Sequence, residues 1–212
     1  DQYGIVLIFD EVKTGFRIAP GGAQQVFGVQ ADLATYAKSL ANGFPVAVFG
    51  GRREVMDVIG KGVSHGGTYC GNVVGVAAAD ATLEILEDGE VLRHINAQGC
   101  KLQDGIHALL TEAGVPHHIK GPGAMFGIPL MAEEPWEFRD MRRHNAALYE
   151  ALSAELLARG VMPDPDAREP WFLSAAHDDA AVEETIAIFG EALEAVKNTG
   201  LIEAEPAPDA AE

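Results

Sequence analysis

The chain has 212 residues, 48% hydrophobic and 22% charged, a balance that supports a buried core and excludes a wholly disordered or collagen-like polypeptide. Lys and Arg number 15 against 32 Asp and Glu, for a net charge of −17. A chain this acidic is a poor binder of nucleic acid or of an anionic membrane as a whole, so any anionic ligand must be held locally.

The first element is the run Ile5-Val6-Leu7-Ile8-Phe9, apolar without alternation. That pattern predicts a central parallel strand covered on both faces. It ends at Asp10-Glu11, the carboxyl end of a strand, where open α/β sheets place ligands. Gly15 and Ala19-Pro20-Gly21-Gly22 mark a long loop, and Leu33 to Ala37 reads as a second strand running into Lys38. Val46 to Phe49 is a third, stopped by Gly50-Gly51, and Arg52 to Ile59 is a short helix. After the His65-Gly66-Gly67-Thr68 loop, Asn72 to Glu87 is a helix rich in Gly and Ala, expected to pack on most sides.

A long helix follows from Glu90 to Glu112. Val115 to Ile119 and Met125 to Leu130 read as strands, Trp136 to Arg159 as a helix, and Trp171 to Ala175 as a strand. Asp178 is placed to cap the last helix, whose Val182, Ile186, Phe189, Leu193 and Val196 form one apolar stripe. The reading is an α/β segment over 1–89, a smaller α+β domain over 90–200 and a disordered acidic tail over 201–212.

No stretch approaches the roughly 18 apolar residues of a membrane span, and there is no signal-like start. Cys70 and Cys100 have no metal-ligand spacing, and two cysteines make no disulfide framework. The expectation is a cytoplasmic protein without metal, and Cys70 is read as a small packing residue. Adjacent His117-His118 cannot face one ion from one helix face, and Ser174 with His177 lacks the G-x-S-x-G elbow of a hydrolase.

Three features carry chemistry. Asp10, at the end of a buried strand, needs a cationic partner. Lys38, between an apolar strand and a glycine turn, is a candidate for a desolvated, nucleophilic amine. Gly66-Gly67-Thr68 ahead of a helix offers backbone N–H groups suited to phosphate. An acid for a ring nitrogen, an amine for an aldehyde and a phosphate cradle together are what pyridoxal 5'-phosphate requires.

Three segments then make a family resemblance specific. Phe9-Asp10-Glu11-Val12-Lys13-Thr14-Gly15-Phe16-Arg17 resembles the D-E-V-x-T-G-F-R segment of class III (fold-type I) pyridoxal-phosphate-dependent aminotransferases. Asp32 to Lys38, running on through Gly43-Phe44-Pro45-Val46 and Gly50-Gly51-Arg52, resembles that family's cofactor-lysine segment. Gly67-Thr68-Tyr69-Cys70-Gly71-Asn72 resembles its G-T-x-x-G-N segment. Within the family, Phe172-Leu173-Ser174-Ala175-Ala176-His177 and Glu169 look like the glutamate-1-semialdehyde 2,1-aminomutase branch. The pattern departs from the family where Ala37 precedes the lysine and Ala41-Asn42 follow it, positions where glycine is usual.

The resemblance implies the C-terminal part of a fold-type I large domain, a mostly parallel sheet with helices, followed by a small α+β domain. It implies Lys38 as the Schiff-base lysine, Asp10 on the ring nitrogen, Val12 on the ring face and Thr68 on the phosphate of the neighbouring subunit in a homodimer. Glu169 would meet a small amino or keto substrate. The alternatives are an ω- or β-amino acid transaminase of the same family, or a catalytically incompetent chain. The resemblance covers only the C-terminal half of the family's usual length, so the 212 residues alone are expected to be a fragment: aggregation-prone, without stable cofactor binding, and inactive.

Overall fold

The computed structural model describes residues 2–202, so the tail expected from 201 lies outside the described residues from 203 onward. The chain is a mixed α/β protein of two compact units, one up to Arg93 and one from His94.

The first unit is built on a three-stranded sheet. β1 (Ile8–Asp10), β2 (Leu33–Tyr36) and β3 (Val48–Gly51) lie in the order β1-β2-β3. β1 and β2 are parallel, with Ile8 opposite Leu33 and Asp10 opposite Thr35. The short helix α1 (Gly22–Phe27) lies in their crossover, as a parallel pair requires. β3 pairs antiparallel to β2. The two glycines expected to stop β3 instead lie within it. A Cβ on Gly51 would stand 2.0 Å from the Asp32 carbonyl oxygen, so only glycine lets the strands close there.

β1 is shorter than its apolar run, and it is not covered on both faces. Ile5 is 71% exposed, and Val6, Leu7 and Ile8 are exposed too, because no second layer packs on them among the described residues. The same correction applies to α3 (Val73–Leu86), which carries exposed Val73, Val74, Val76 and Ile85 and buries only Gly75 and Leu86. Its small residues do admit one close neighbour, since a Cβ on Gly75 would stand 2.7 Å from Val46 Cγ2. The helix expected over 52–59 forms one turn, α2 (Arg53–Met56). Cys70 is exposed rather than packed.

The second unit holds most of α4 (Glu90–Glu112), then β4 (Met125–Phe126), α5 (Ala146–Ala158), β5 (Trp171–Phe172) and α6 (Asp179–Lys197). β4 and β5 pair antiparallel. No strand forms over 115–119, where His118 N donates to Pro129 O and Lys120 exchanges two backbone bonds with Gly127. The helix expected over 136–159 is broken. A 3-10 turn over Phe138–Arg143 ends at His144, which is extended, and Asn145 restarts the chain as the N-cap of α5 by accepting from Leu148 N. His144 is held there because its Nδ1 accepts from Leu130 N at 2.9 Å. Ile106, Leu110, Phe126, Leu148, Leu156 and Phe189 are among its fully buried core residues, and Trp171 stacks near Phe126 at 6.1 Å between centroids. Asp178 caps α6 as its position predicts, accepting from Ala181 N at 2.9 Å.

Candidate active site

Parallel pairing sets the first fact about the site. Asp10 is the last residue of β1, and Lys38 lies three residues past its register partner Thr35, so both stand at the same end of adjacent strands. In open α/β sheets that carboxyl end is where ligands bind.

Asp10 is oriented by its neighbours. Its Oδ1 accepts from Val12 N at 3.0 Å and from the Thr35 hydroxyl at 3.4 Å. Among the described residues Oδ2 has no hydrogen-bond partner, so one carboxylate oxygen is fixed while the other is left for a donor. Val12, half-buried, follows two residues on in the turn that leaves β1.

Lys38 has a left-handed backbone, φ 47°, and so does Asn42 at φ 48°. A non-glycine residue there costs on the order of 1–3 kcal/mol, and such strain gathers at functional sites. It is anchored downstream by Leu40 and Ala41, both buried, with Ala41 N donating to the Lys38 carbonyl. The expectation of a desolvated amine is corrected: Lys38 is exposed in this chain, so these residues by themselves do not strip it of water.

Thr68 lies in the wholly exposed stretch 61–74. Among the described residues no hydrogen bond joins Thr68 to Asp10 or Lys38. The N–H groups opening α3 are partly taken already, because Asn72 Oδ1 accepts from Val74 N and Gly75 N. Glu169 belongs to the second unit, where it is half-buried and lines, with Trp171 and His177, a groove of about 900 Å³. The Ser174 hydroxyl meets His177 Nδ1 at 3.1 Å, but Ser174 N donates to the same nitrogen at 3.0 Å, so the pair closes a local turn ahead of α6.

Sequence reasoning passed over Glu11. Its side chain is fully buried. It accepts from Ala23 N and Gln24 N at 2.9 Å each, and from the Thr14 hydroxyl. It thereby caps α1, whose own N-cap Gly21 offers no side chain. The only sequence signal was an acid at an inward strand position ahead of a glycine-rich loop.

The family model for class-III aminotransferases matches residues 1–189. A glutamate-1-semialdehyde 2,1-aminomutase of Neisseria meningitidis serogroup C is 37% identical over 198 residues, covering 92% of this chain and 46% of that protein. Among solved structures, an omega-transaminase from Sphaerobacter thermophilus superposes with a TM-score of 0.80 at 32% identity, over 91% of this chain and 45% of that one. The pyridoxal-phosphate internal aldimine form of the Sphingopyxis sp. MTA144 FumI protein gives 0.82 at 28% identity, over 98% of this chain and 47% of that one. The chain spans about half the length of the curated relatives it matches.

Proposed function

This chain belongs to the class-III aminotransferases, and on that premise we propose that it carries the lysine and the carboxylate of a pyridoxal-phosphate-dependent amino-transfer site. The observation that supports the reading most is the β1–β2 register, which sets Asp10 and Lys38 at one end of parallel neighbours. The residues fit the cofactor, because Asp10 keeps Oδ2 unpartnered beside a strained lysine turn.

Pyridoxal phosphate, when bound, supplies the electron sink for the bond broken at the substrate's amino-bearing carbon. Lys38 Nζ would hold the cofactor through its aldehyde carbon, and its amine would carry a proton to and from the substrate's amino-bearing carbon. Asp10 Oδ2 would accept from the ring nitrogen and favour its protonated form. Val12 would pack on the ring face. By family resemblance Thr68 binds phosphate in the neighbouring subunit of a homodimer, and Glu169 meets the substrate. The unit up to Arg93 is read as part of the fold-type I cofactor-binding domain, and the unit from His94 as its small C-terminal domain. Two free cysteines suit a reducing, cytoplasmic setting, and no helix among the described residues is long and apolar enough to cross a membrane.

The 37% identity to an aminomutase favours glutamate-1-semialdehyde as substrate. The 32% identity to an omega-transaminase keeps an ω-amino donor as the second reading, and turnover of each compound separates the two. The role assignments are tested in the full-length protein by borohydride reduction after incubation with pyridoxal phosphate, followed by peptide mapping. The label is expected on Lys38 and absent in Lys38→Ala. Asp10→Asn is expected to keep the label and lose turnover by roughly 100-fold or more. A label on another lysine refutes the first assignment, and wild-type turnover in Asp10→Asn refutes the second.

A further inference from the structure

We propose that Gly15 is the centre of a brace that fixes Lys38 against Asp10, and that Ser39 is a positioning residue for amino transfer; this rests on the reading of Lys38 and Asp10 above. Gly15 N donates to the Glu11 carbonyl at 2.8 Å, and the Ser39 hydroxyl donates to the Gly15 carbonyl at 2.7 Å. Glu11 follows Asp10 and Ser39 follows Lys38. One buried glycine therefore links the residue after the acid to the residue after the amine, a second tie beyond the strand ladder.

The surroundings leave the glycine no freedom. A Cβ at residue 15 would stand 2.6 Å from Tyr36 Cδ1 and 2.8 Å from the Glu11 carbonyl oxygen. Phe16 lies against Tyr36 at 5.4 Å between ring centroids, and Gln24 Nε2 donates to the Tyr36 hydroxyl at 3.0 Å. The buried Glu11 carboxylate holds the same loop beside Gly15 through Thr14 and at its far end through Ala23 and Gln24.

The brace has a reason to exist. Lys38 sits at φ 47°, a conformation that persists only where neighbours over-determine it. Its own side chain is exposed and gives the backbone no hold. The Ser39 hydroxyl is the side-chain bond that ties this turn to the loop leaving Asp10. A small drift between amine and acid costs rate without changing what binds, because it misplaces the proton carrier relative to the reacting carbon.

The test compares Ser39→Ala, which removes the hydroxyl with no steric change, with Ser39→Thr, which keeps it. Both are made in the full-length protein: hydrogen exchange at the Gly15 amide is read without cofactor, and kcat and KM are read with it. Ser39→Ala is expected to speed Gly15 exchange about tenfold and to lower kcat about tenfold with KM within about twofold, and Ser39→Thr to restore both. Unchanged Gly15 exchange overturns the brace, and faster exchange with unchanged kcat overturns its positioning role. The borohydride label in the wild-type protein separates the two levels. A label on a lysine other than Lys38 overturns the functional reading and this proposal with it. A label on Lys38 with a silent Ser39→Ala overturns the brace alone.

Discussion

Replacing Glu11 by alanine tests the least expected element of the first unit. The side chain is fully buried and takes three hydrogen bonds, all from neutral donors: Ala23 N, Gln24 N and the Thr14 hydroxyl. The hydroxyl can turn elsewhere, but the two backbone N–H groups point into the space the carboxylate leaves. Each buried donor without a partner costs about 1–3 kcal/mol. Ala23 and Gln24 are only half-buried, so water relieves part of that, and a loss of about 2–4 kcal/mol is expected. This is a large share of the roughly 5–15 kcal/mol of a whole domain. Urea unfolding followed by far-UV circular dichroism should show an early transition, and exchange at the Ala23 and Gln24 amides should accelerate. Both tryptophans, Trp136 and Trp171, belong to the second unit, so indole fluorescence is an internal control that should move far less. A Glu11→Ala protein within about 0.5 kcal/mol of wild type, with unchanged exchange at both amides, would refute the capping role.

Two further outcomes follow from geometry in each unit. Gly51→Ala would drive a Cβ to 2.0 Å from the Asp32 carbonyl and 2.8 Å from Leu33 Cα; parting β2 from β3 should cost about 1–3 kcal/mol in urea unfolding, and an unchanged midpoint would show that the strands do not meet as described. Burial holds the His144 imidazole below its usual value of 6.5. The unfolded chain then binds more protons than the folded one, so His144 contributes stability that is complete above pH 6.5 and is lost as pH falls through that value toward the lower folded one. Protonation also breaks the bond from Leu130 N, because Nδ1 can no longer accept. His144→Gln should flatten the slope of unfolding free energy between about pH 7 and 5, and an equally steep slope in that variant would discard this account.

Local chemistry made much of the chain legible from its residues. α4 spans Glu90–Glu112 as its pattern predicts, and Leu148, Leu152 and Leu156 are buried at the expected helical spacing. Asp178 caps α6, since an N-cap needs only a side-chain oxygen and a helix start beside it in sequence. The three motif segments belong to the same class, because short spacings between particular residue types survive in the linear chain. What tertiary structure alone decided depends on partners distant in sequence. The helix expected across 136–159 breaks at His144, whose ring is held by a backbone N–H 14 residues away. Gly50 and Gly51 read as a strand stop, yet both lie inside β3, and at Gly51 β2 leaves no room for a side chain. Glu11 is a cap only because Ala23 and Gln24, 12 and 13 residues on, return to its oxygens. The apolar run at Ile5 to Phe9 likewise reported strand character without reporting its cover. Hydrophobicity sets the free energy gained if a face is buried, while which layer reaches that face is set by how the chain crosses over itself.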